Sequence, residues 1–426
     1  MDERRAGRRL QPRPPGCGGL IASSHLQTTF LSAELHFEKF GTAKASLWEP
    51  KPLLETNAAP GVIRILCPGA PPCKSCNEDL ASLKSSYRGL HLEPLVHGIR
   101  MHNGRRPSAA AADVRTALIV LPDYHNLFHQ FGSLAIAWAA RQESHATLPS
   151  KQPRDLAEGP MHIFMLSNAS LAPTRLFWSP GLALRQPIMV RPSSPPPPAL
   201  YSRVILVQPA TETWWWNVWN RDATARRGVL LPLAARLLSA LVPPGSEAAQ
   251  QADQEARTAL GERSAVAEAR LALVIRRPPP ADRRILNDGE LATALRPALA
   301  PFSLTPALVD LAALTTRAQL ALVRNAGLLL GAHGAGLLWN LFLPSSAPVV
   351  EILNMANANK YYANHCLWTG RPYAAWQNAH PAAEEPAVDP FTRVALDPFR
   401  AHVRVNLSEV LAVVRGLVLN GTVTQI

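Results

Sequence analysis

Lysine is scarce in this chain. Of 43 cationic side chains only 7 are Lys, and against 31 acids the 426 residues carry a formal charge of +12. The excess comes from arginines scattered along the chain, with no basic stripe on one helix and no nucleic-acid motif, so it reads as compositional bias and not as a nucleic-acid surface. Salt-dependent DNA affinity at physiological ionic strength would overturn that reading. Charged residues are also few, 17% against 47% apolar, which excludes a wholly disordered chain. The five cysteines are too few to staple a protein of this length. Cys67, Cys73 and Cys76 cluster in one loop, and three readings stand for them: a disulfide, free thiols, or a partial zinc site with His91 and His97. No run of 18 apolar residues without charge occurs, so no transmembrane helix is expected. Residues 1–16 hold arginines with no apolar run behind them, so no signal peptide is expected there. No D-x-D pair, G-x-S-x-G elbow or Walker-type loop is present. A metal-bridged diphosphate site on that first motif, a hydrolase nucleophile and a P-loop are therefore unsupported.

Proline is abundant instead, 40 residues or about 9%, close to double the usual share. It concentrates in a Pro/Arg-rich arm over residues 1–60, expected to be partly disordered with one or two short strands, and in loops such as the polyproline run 195–198. Beyond the arm, apolar runs of strand length alternate with segments of helical period. Strands are predicted at 62–66, 117–121, 162–166 and 201–207, with helices at 128–141 and 230–241. Residues 245–270 are rich in Ala, Glu, Gln and Arg and read as a polar helix or linker. A second set follows: strands at 271–275, 328–330 and 349–353, helices at 288–299 and 407–419, a helix starting at 337, and one or two helices within 306–324. Two such alternations imply two α/β units with parallel sheets. The expected division is an amino domain over 61–250, a carboxyl domain over 251–395, and a segment at 396–426 whose helix packs back on the amino domain.

Four places can carry chemistry. Gly331-Ala-His-Gly-Ala-Gly336 follows a short strand and opens a helix, a geometry that offers backbone N–H groups to an anion. The spacing is not the dinucleotide fingerprint, and a tight turn without a ligand is an equal reading. His333 sits in that turn, donating to a diphosphate or merely filling its polar surface. Glu351 stands alone in the apolar run Val349-Val-Glu-Ile-Leu353, either reaching ribose hydroxyls or buried and paired with an arginine. Arg276, Arg277, Arg283 and Arg284 flank a proline loop and form either a bidentate phosphate clamp or a solvated basic loop. Trp214-Trp-Trp-Asn-Val-Trp-Asn220 concentrates indole faces, with Trp215 and Trp219 able to stack on a sugar or to pack a core.

The segment Leu328-Leu-Leu-Gly-Ala-His-Gly-Ala-Gly-Leu-Leu-Trp-Asn-Leu-Phe-Leu-Pro344, followed by Val349-Val-Glu-Ile352, resembles the signature of glycosyltransferase family 61. Asn126-Leu-Phe-His129-x-Phe131 and the stretch Val274-Ile-Arg-Arg277 through Arg283-Arg-Ile-Leu-Asn287 resemble two further blocks, in the family's order, over about residues 115–420. The resemblance implies a GT-B fold, with two Rossmann-like domains facing a cleft. It implies an inverting, metal-independent transfer from a UDP-sugar (xylose, GlcNAc or arabinose) to a glycan or glycoprotein, with no cofactor and no nucleic-acid partner. Arg277 and Arg284, with His333 and the amides of Gly334, Ala335 and Gly336, would hold the diphosphate, and Glu351 the ribose. His129 matches the family's histidine as candidate base, with Asp123 nearby to assist. Asn126, Trp215 and Trp219 would face the acceptor. The implied location is the Golgi or endoplasmic-reticulum lumen, any membrane association coming through a segment not seen in these residues. One departure matters: family members commonly carry Asp four residues after the histidine, and this chain has Ser133. That raises an alternative, a degenerate member that binds glycan or nucleotide without turnover.

Overall fold

The computed structural model describes residues 20–23, 27–35, 40–42, 56–58, 63–66, 100–102, 112, 116–120, 127–146, 161–165, 175–182, 187–190, 196–207, 210, 213–215, 223–260, 270–389, 391–420 and 424–425. The chain divides into two compact units, Met1–Asn217 and Val218–Ile426. Both are mixed α/β; the amino unit mixes parallel and antiparallel pairs, and the main sheet of the second unit is parallel. Asp123, Asn126, Trp219 and the cysteines at 17, 67, 73 and 76 lie outside the described residues.

In the amino unit the strands are β1 (Leu20–Ser23), β2 (Gln27–Leu35), β3 (Phe40–Thr42), β4 (Thr56–Ala58), β5 (Ile63–Leu66), β6 (Arg100–His102), β7 (Thr116–Val120), β8 (Met161–Met165), β9 (Ile188–Met189) and β10 (Ala199–Val207). The main sheet runs β6-β5-β2-β10-β7-β8-β9, with β1 paired to β2 and a separate β3–β4 pair. β7 lies parallel to β8 and β10, whereas β2 is antiparallel to β10 and β5. The arm expected to be partly disordered over 1–60 thus contributes an interior strand. Gln27–Leu35 alternates Thr29, Leu31, Ala33 and Leu35 with Thr28, Phe30, Ser32 and Glu34, a period-two pattern that the surrounding Pro and Arg composition concealed. α1 (Leu127–Ala146) buries Phe128, Phe131, Leu134 and Ala135 at the helical spacing read from sequence. It packs on β10 and on α2 (Arg175–Leu182).

In the carboxyl unit, α3 (Ala223–Leu241) and α4 (Glu247–Ala259) precede a six-stranded sheet. The polar stretch after residue 245 is a helix, not a linker. Ser246 caps it through Ala249 N at 3.1 Å, and a small-residue stripe of Ala249, Ala252 and Ala256 is buried. Its other side is tied down by Asp253 to Arg324 at 3.1 Å and by Glu255 capping Thr315 at 2.7 Å. The strands are β11 (Arg270–Ile275), β12 (Leu304–Val309), β13 (Ala326–Ala332), β14 (Val349–Leu353), β15 (Tyr373–Gln377) and, beyond the short β16 (Glu384–Glu385) and β17 (His402–Val403) pair, β18 (Thr424–Gln425). Their order is β12-β11-β13-β14-β15-β18, parallel throughout. β12 falls where a helix was expected. As an edge strand it tolerates Pro306, whose missing N–H costs no ladder bond on the open side.

Both faces of this sheet are covered, which is why its strands read as unbroken apolar runs. On one face Ala272, Val274, Leu328, Leu330, Val350 and Ile352 pack with α5 (Asp288–Leu299) and α8 (Leu407–Asn420). On the other lies the 3-10 helix Ala335–Phe342, packed by α3, α6 (Thr316–Arg324) and α7 (Tyr361–Thr369). α8, expected to pack back on the amino domain, instead inserts Val410, Val413, Val414 and Leu417 into this core. Among the described residues no helix is long and apolar enough to cross a membrane.

Candidate functional site at the carboxyl edge of the second sheet

The strand order fixes where a ligand fits. The chain leaves β11 for β12 on one side, then crosses to β13 on the other, so the loops after β11 and β13 diverge and leave a crevice between them. In open α/β sheets ligands bind at that switch point, outside the carboxyl ends of the strands. Arg277 follows β11, and His333 with Gly334 follows β13. Topology therefore brings together the arginine loop and the glycine turn, 56 residues apart in sequence, through a hydrogen bond from Arg277 Nη1 to the His333 carbonyl at 3.3 Å.

Gly334 is required here on two counts. Its φ of +155° is one that L side chains rarely adopt, and a Cβ on it would collide with Nη1 of Arg277. Its carbonyl accepts from Tyr362 Oη at 2.6 Å and from Leu337 N at 2.9 Å, which anchors the start of the 3-10 helix. Ala335 and Gly336 open that helix, whose first backbone N–H groups have no partner within the helix and suit an anion.

Three arginines converge on one acid. Asp282 receives Arg277 Nη2 at 2.9 Å and Arg283 Nη2 at 3.6 Å on Oδ1, and Arg400 Nε at 3.2 Å on Oδ2. One carboxylate against three guanidinium groups leaves two positive charges at the crevice. Burial, and then the neighbouring Arg283, holds the Arg277 guanidinium below its ordinary range, with Asp282 opposing. Such a site is poised for an anion that replaces lost hydration and offsets the mutual repulsion. Arg283, with φ +51°, also lies over the Phe399 ring at 5.0 Å. Arg284, the partner chosen from sequence, is engaged differently. Its backbone bonds His402 Nδ1 at 3.2 Å and Val403 N at 2.9 Å, and among the described residues it joins no ion pair.

Glu351 is fully buried, and both its oxygens are occupied. Oε1 takes His333 Nδ1 at 2.5 Å and Oε2 takes the Tyr373 hydroxyl at 2.5 Å. Burial, reinforced by the Glu351 charge, holds Tyr373 well above its usual value, so it remains a donor. The geometry commits this carboxylate to orienting His333, and at 0% exposure it offers no open face to a ribose hydroxyl. The His333 ring is walled by Tyr361, Tyr362 and Phe399.

In the amino unit, His129 lies in the first turn of α1. Burial lowers its pKa to about 4. Ser133, where the resemblance would put an acid, donates to the His129 carbonyl oxygen at 3.3 Å. Trp215 is 1% exposed, pressed against Gly132 and the rings of Phe128 and Phe131 at 5.3 and 6.0 Å. Its faces are covered by core, so the stacking role proposed from sequence is not available to it. Gly132→Ala is accordingly expected to destabilise the amino unit by about 1–3 kcal/mol through overpacking, read as a lowered denaturant midpoint. A midpoint within 0.3 M of the parent would contradict that packing.

Sequence reasoning missed Asp282, Arg400, Tyr362 and Tyr373. None carries a local signal: Arg400 arrives from a loop 123 residues downstream of Arg277, and Tyr362 in a helix and Tyr373 at a strand start look like core.

No family model matches the chain. Over 105 residues, 24% of its length, it is 36% identical to "Protein O-linked-mannose beta-1,4-N-acetylglucosaminyltransferase 2" of Bos taurus. It is 35% identical over the same length to the proteins of that name from Homo sapiens and Canis lupus familiaris. The chain spans 18% of the length of these relatives. The likeness is therefore partial, confined to about a quarter of this chain.

Proposed function

We propose that this protein is an inverting glycosyltransferase that takes a UDP-sugar at the carboxyl edge of its second sheet and transfers the sugar to a glycan or glycoprotein. The observation that carries this reading is the approach of Arg277 onto the glycine turn at the switch point, within an arginine cluster that has surplus positive charge. The likeness to N-acetylglucosaminyltransferases supports it. Arg277, Arg283 and Arg400, with the amides at Gly334–Gly336, bind the diphosphate. They absorb the charge that develops on it as the glycosidic C–O bond breaks, without a metal in that role. The acceptor oxygen attacks the anomeric carbon from the opposite face, and its proton passes to a base, for which His129 is the candidate. In this reading the two α/β units face each other as in GT-B enzymes, and the protein works in the Golgi or endoplasmic-reticulum lumen.

Arg277→Ala tests the donor site. Loss of a charge-assisted hydrogen bond is expected to weaken UDP binding by about 1.5–3 kcal/mol, some 10- to 150-fold, in titration calorimetry. Binding should survive EDTA. No UDP affinity at millimolar concentration in the parent protein would refute the assignment.

A second reading is favoured by the surroundings of His129. With burial holding its pKa near 4 and Ser133 turned to the backbone, the imidazole is a weak base, as in a member that binds donor without turnover. Binding without donor hydrolysis or transfer to any of a panel of glycan acceptors would select this second reading.

A further inference from the structure

A small cavity opens beside the arginine cluster at the carboxyl end of β14, lined among others by Arg283, His333, Asn354 and Asn357. The two asparagines are 5% and 1% exposed. Their amide orientations are fixed by their own bonds. Asn354 Nδ2 donates to the carbonyls of Pro398, Phe399 and Ala401 at 3.0–3.2 Å, which a flipped amide could not do. Asn357 Oδ1 accepts from Asn359 N at 3.1 Å. What remains is one buried acceptor, Asn354 Oδ1, and one buried donor, Asn357 Nδ2, both without a hydrogen-bond partner. Leaving such atoms unsatisfied is costly, and a native interior that does so expects something to arrive there.

The complement to one acceptor and one donor in a small space is a single group that both donates and accepts, which is a hydroxyl. We propose that this cavity is a hydroxyl subsite holding a ribose hydroxyl of the donor nucleotide: the hydroxyl donates to Asn354 Oδ1 and accepts from Asn357 Nδ2. The inference rests on the nucleotide-sugar reading above. Position favours the ribose over the transferred sugar. Where a glycine turn holds the diphosphate, ribose hydroxyls are met at the end of the following strand, about 20 residues on, which is where Asn354 stands. Glu351, the acid expected there, is fully buried and bonded to His333 and Tyr373, so the asparagines take over its expected role.

The test is calorimetric titration of the parent protein with UDP, 2′-deoxy-UDP and 3′-deoxy-UDP, and of Asn357→Asp with the same three. Asn357→Asp retains the acceptor for Asn359 N but replaces the free donor by an acceptor. One deoxy nucleotide is expected to bind the parent about tenfold more weakly than UDP, and in Asn357→Asp the UDP affinity should fall to that level while the deoxy affinity holds. Equal binding of all three nucleotides by the parent protein overturns the subsite and assigns the cavity to water. Discrimination of UDP from CDP without any effect of the deoxy changes overturns it in favour of base recognition. Absence of UDP binding by the parent overturns the underlying donor reading.

Discussion

Between pH 7 and pH 5 the protein is expected to lose about 2 kcal/mol of stability for each of two buried histidines. His129 in the amino unit and His365 in the carboxyl unit are held by burial at about 4 and about 3. The unfolded chain takes up a proton on each near 6.5, whereas the folded protein refuses it until far lower pH. The unfolded state therefore binds more protons throughout the interval, and stability must fall as pH falls. The contribution is complete above 6.5 and is lost progressively toward the folded values. The window above pH 5 isolates the effect, because ordinary carboxylates have not yet titrated. For units of this size 2 kcal/mol corresponds to a fall in Tm of about 4–8 °C. His129→Gln should remove the acid sensitivity of the amino unit while leaving that of the carboxyl unit. A Tm unchanged from pH 7 to pH 5 would show that these imidazoles are solvated.

Glu351→Ala is expected to cost about 3–5 kcal/mol, measured as a shift in the denaturant midpoint. The substitution strands two buried donors, His333 Nδ1–H and the Tyr373 hydroxyl, and opens a cavity in a strand that is buried on both faces. The decisive arm is the double variant with Tyr373→Phe. If the hydroxyl is stranded by loss of the carboxylate, removing it relieves part of the penalty, and the two changes are less than additive by about 1 kcal/mol or more. Additive losses, or a single-variant loss below 1 kcal/mol, would mean that the carboxylate is not the hub of this trio.

Elements with strong periodicity were legible in the sequence: α1, α5, α8 and strands β7, β8, β10, β11 and β14 fall within a few residues of expectation. The failures have physical causes. β2 was hidden in a Pro- and Arg-rich context and is recruited by pairing with β10 and β5, a non-local gain that a window of sequence does not contain. β12 was read as helix because apolar residues at 304–309 are too short to distinguish the two periods, and edge placement alone makes Pro306 acceptable there. The helix expected from 337 is present as a 3-10 helix at 335–342, its turn held by Asn340 Nδ2 on the Leu337 carbonyl at 2.6 Å.

The scarcity of lysine and the arginine excess, taken over the whole chain, read as compositional bias. The amino-acid sequence by itself determined the α/β class, the glycine turn with His333 and the presence of arginines beside a strand end, because these depend on period and on local backbone freedom. The tertiary structure alone decided which arginines act together, since Arg277, Arg283 and Arg400 meet on Asp282 only through the parallel sheet and its returning loop. It alone set Glu351 between His333 and Tyr373 and buried Trp215 in the core of the amino unit. Charge, burial and hydrogen-bond satisfaction are properties of what surrounds a side chain, and those surroundings come from chain segments far apart in sequence.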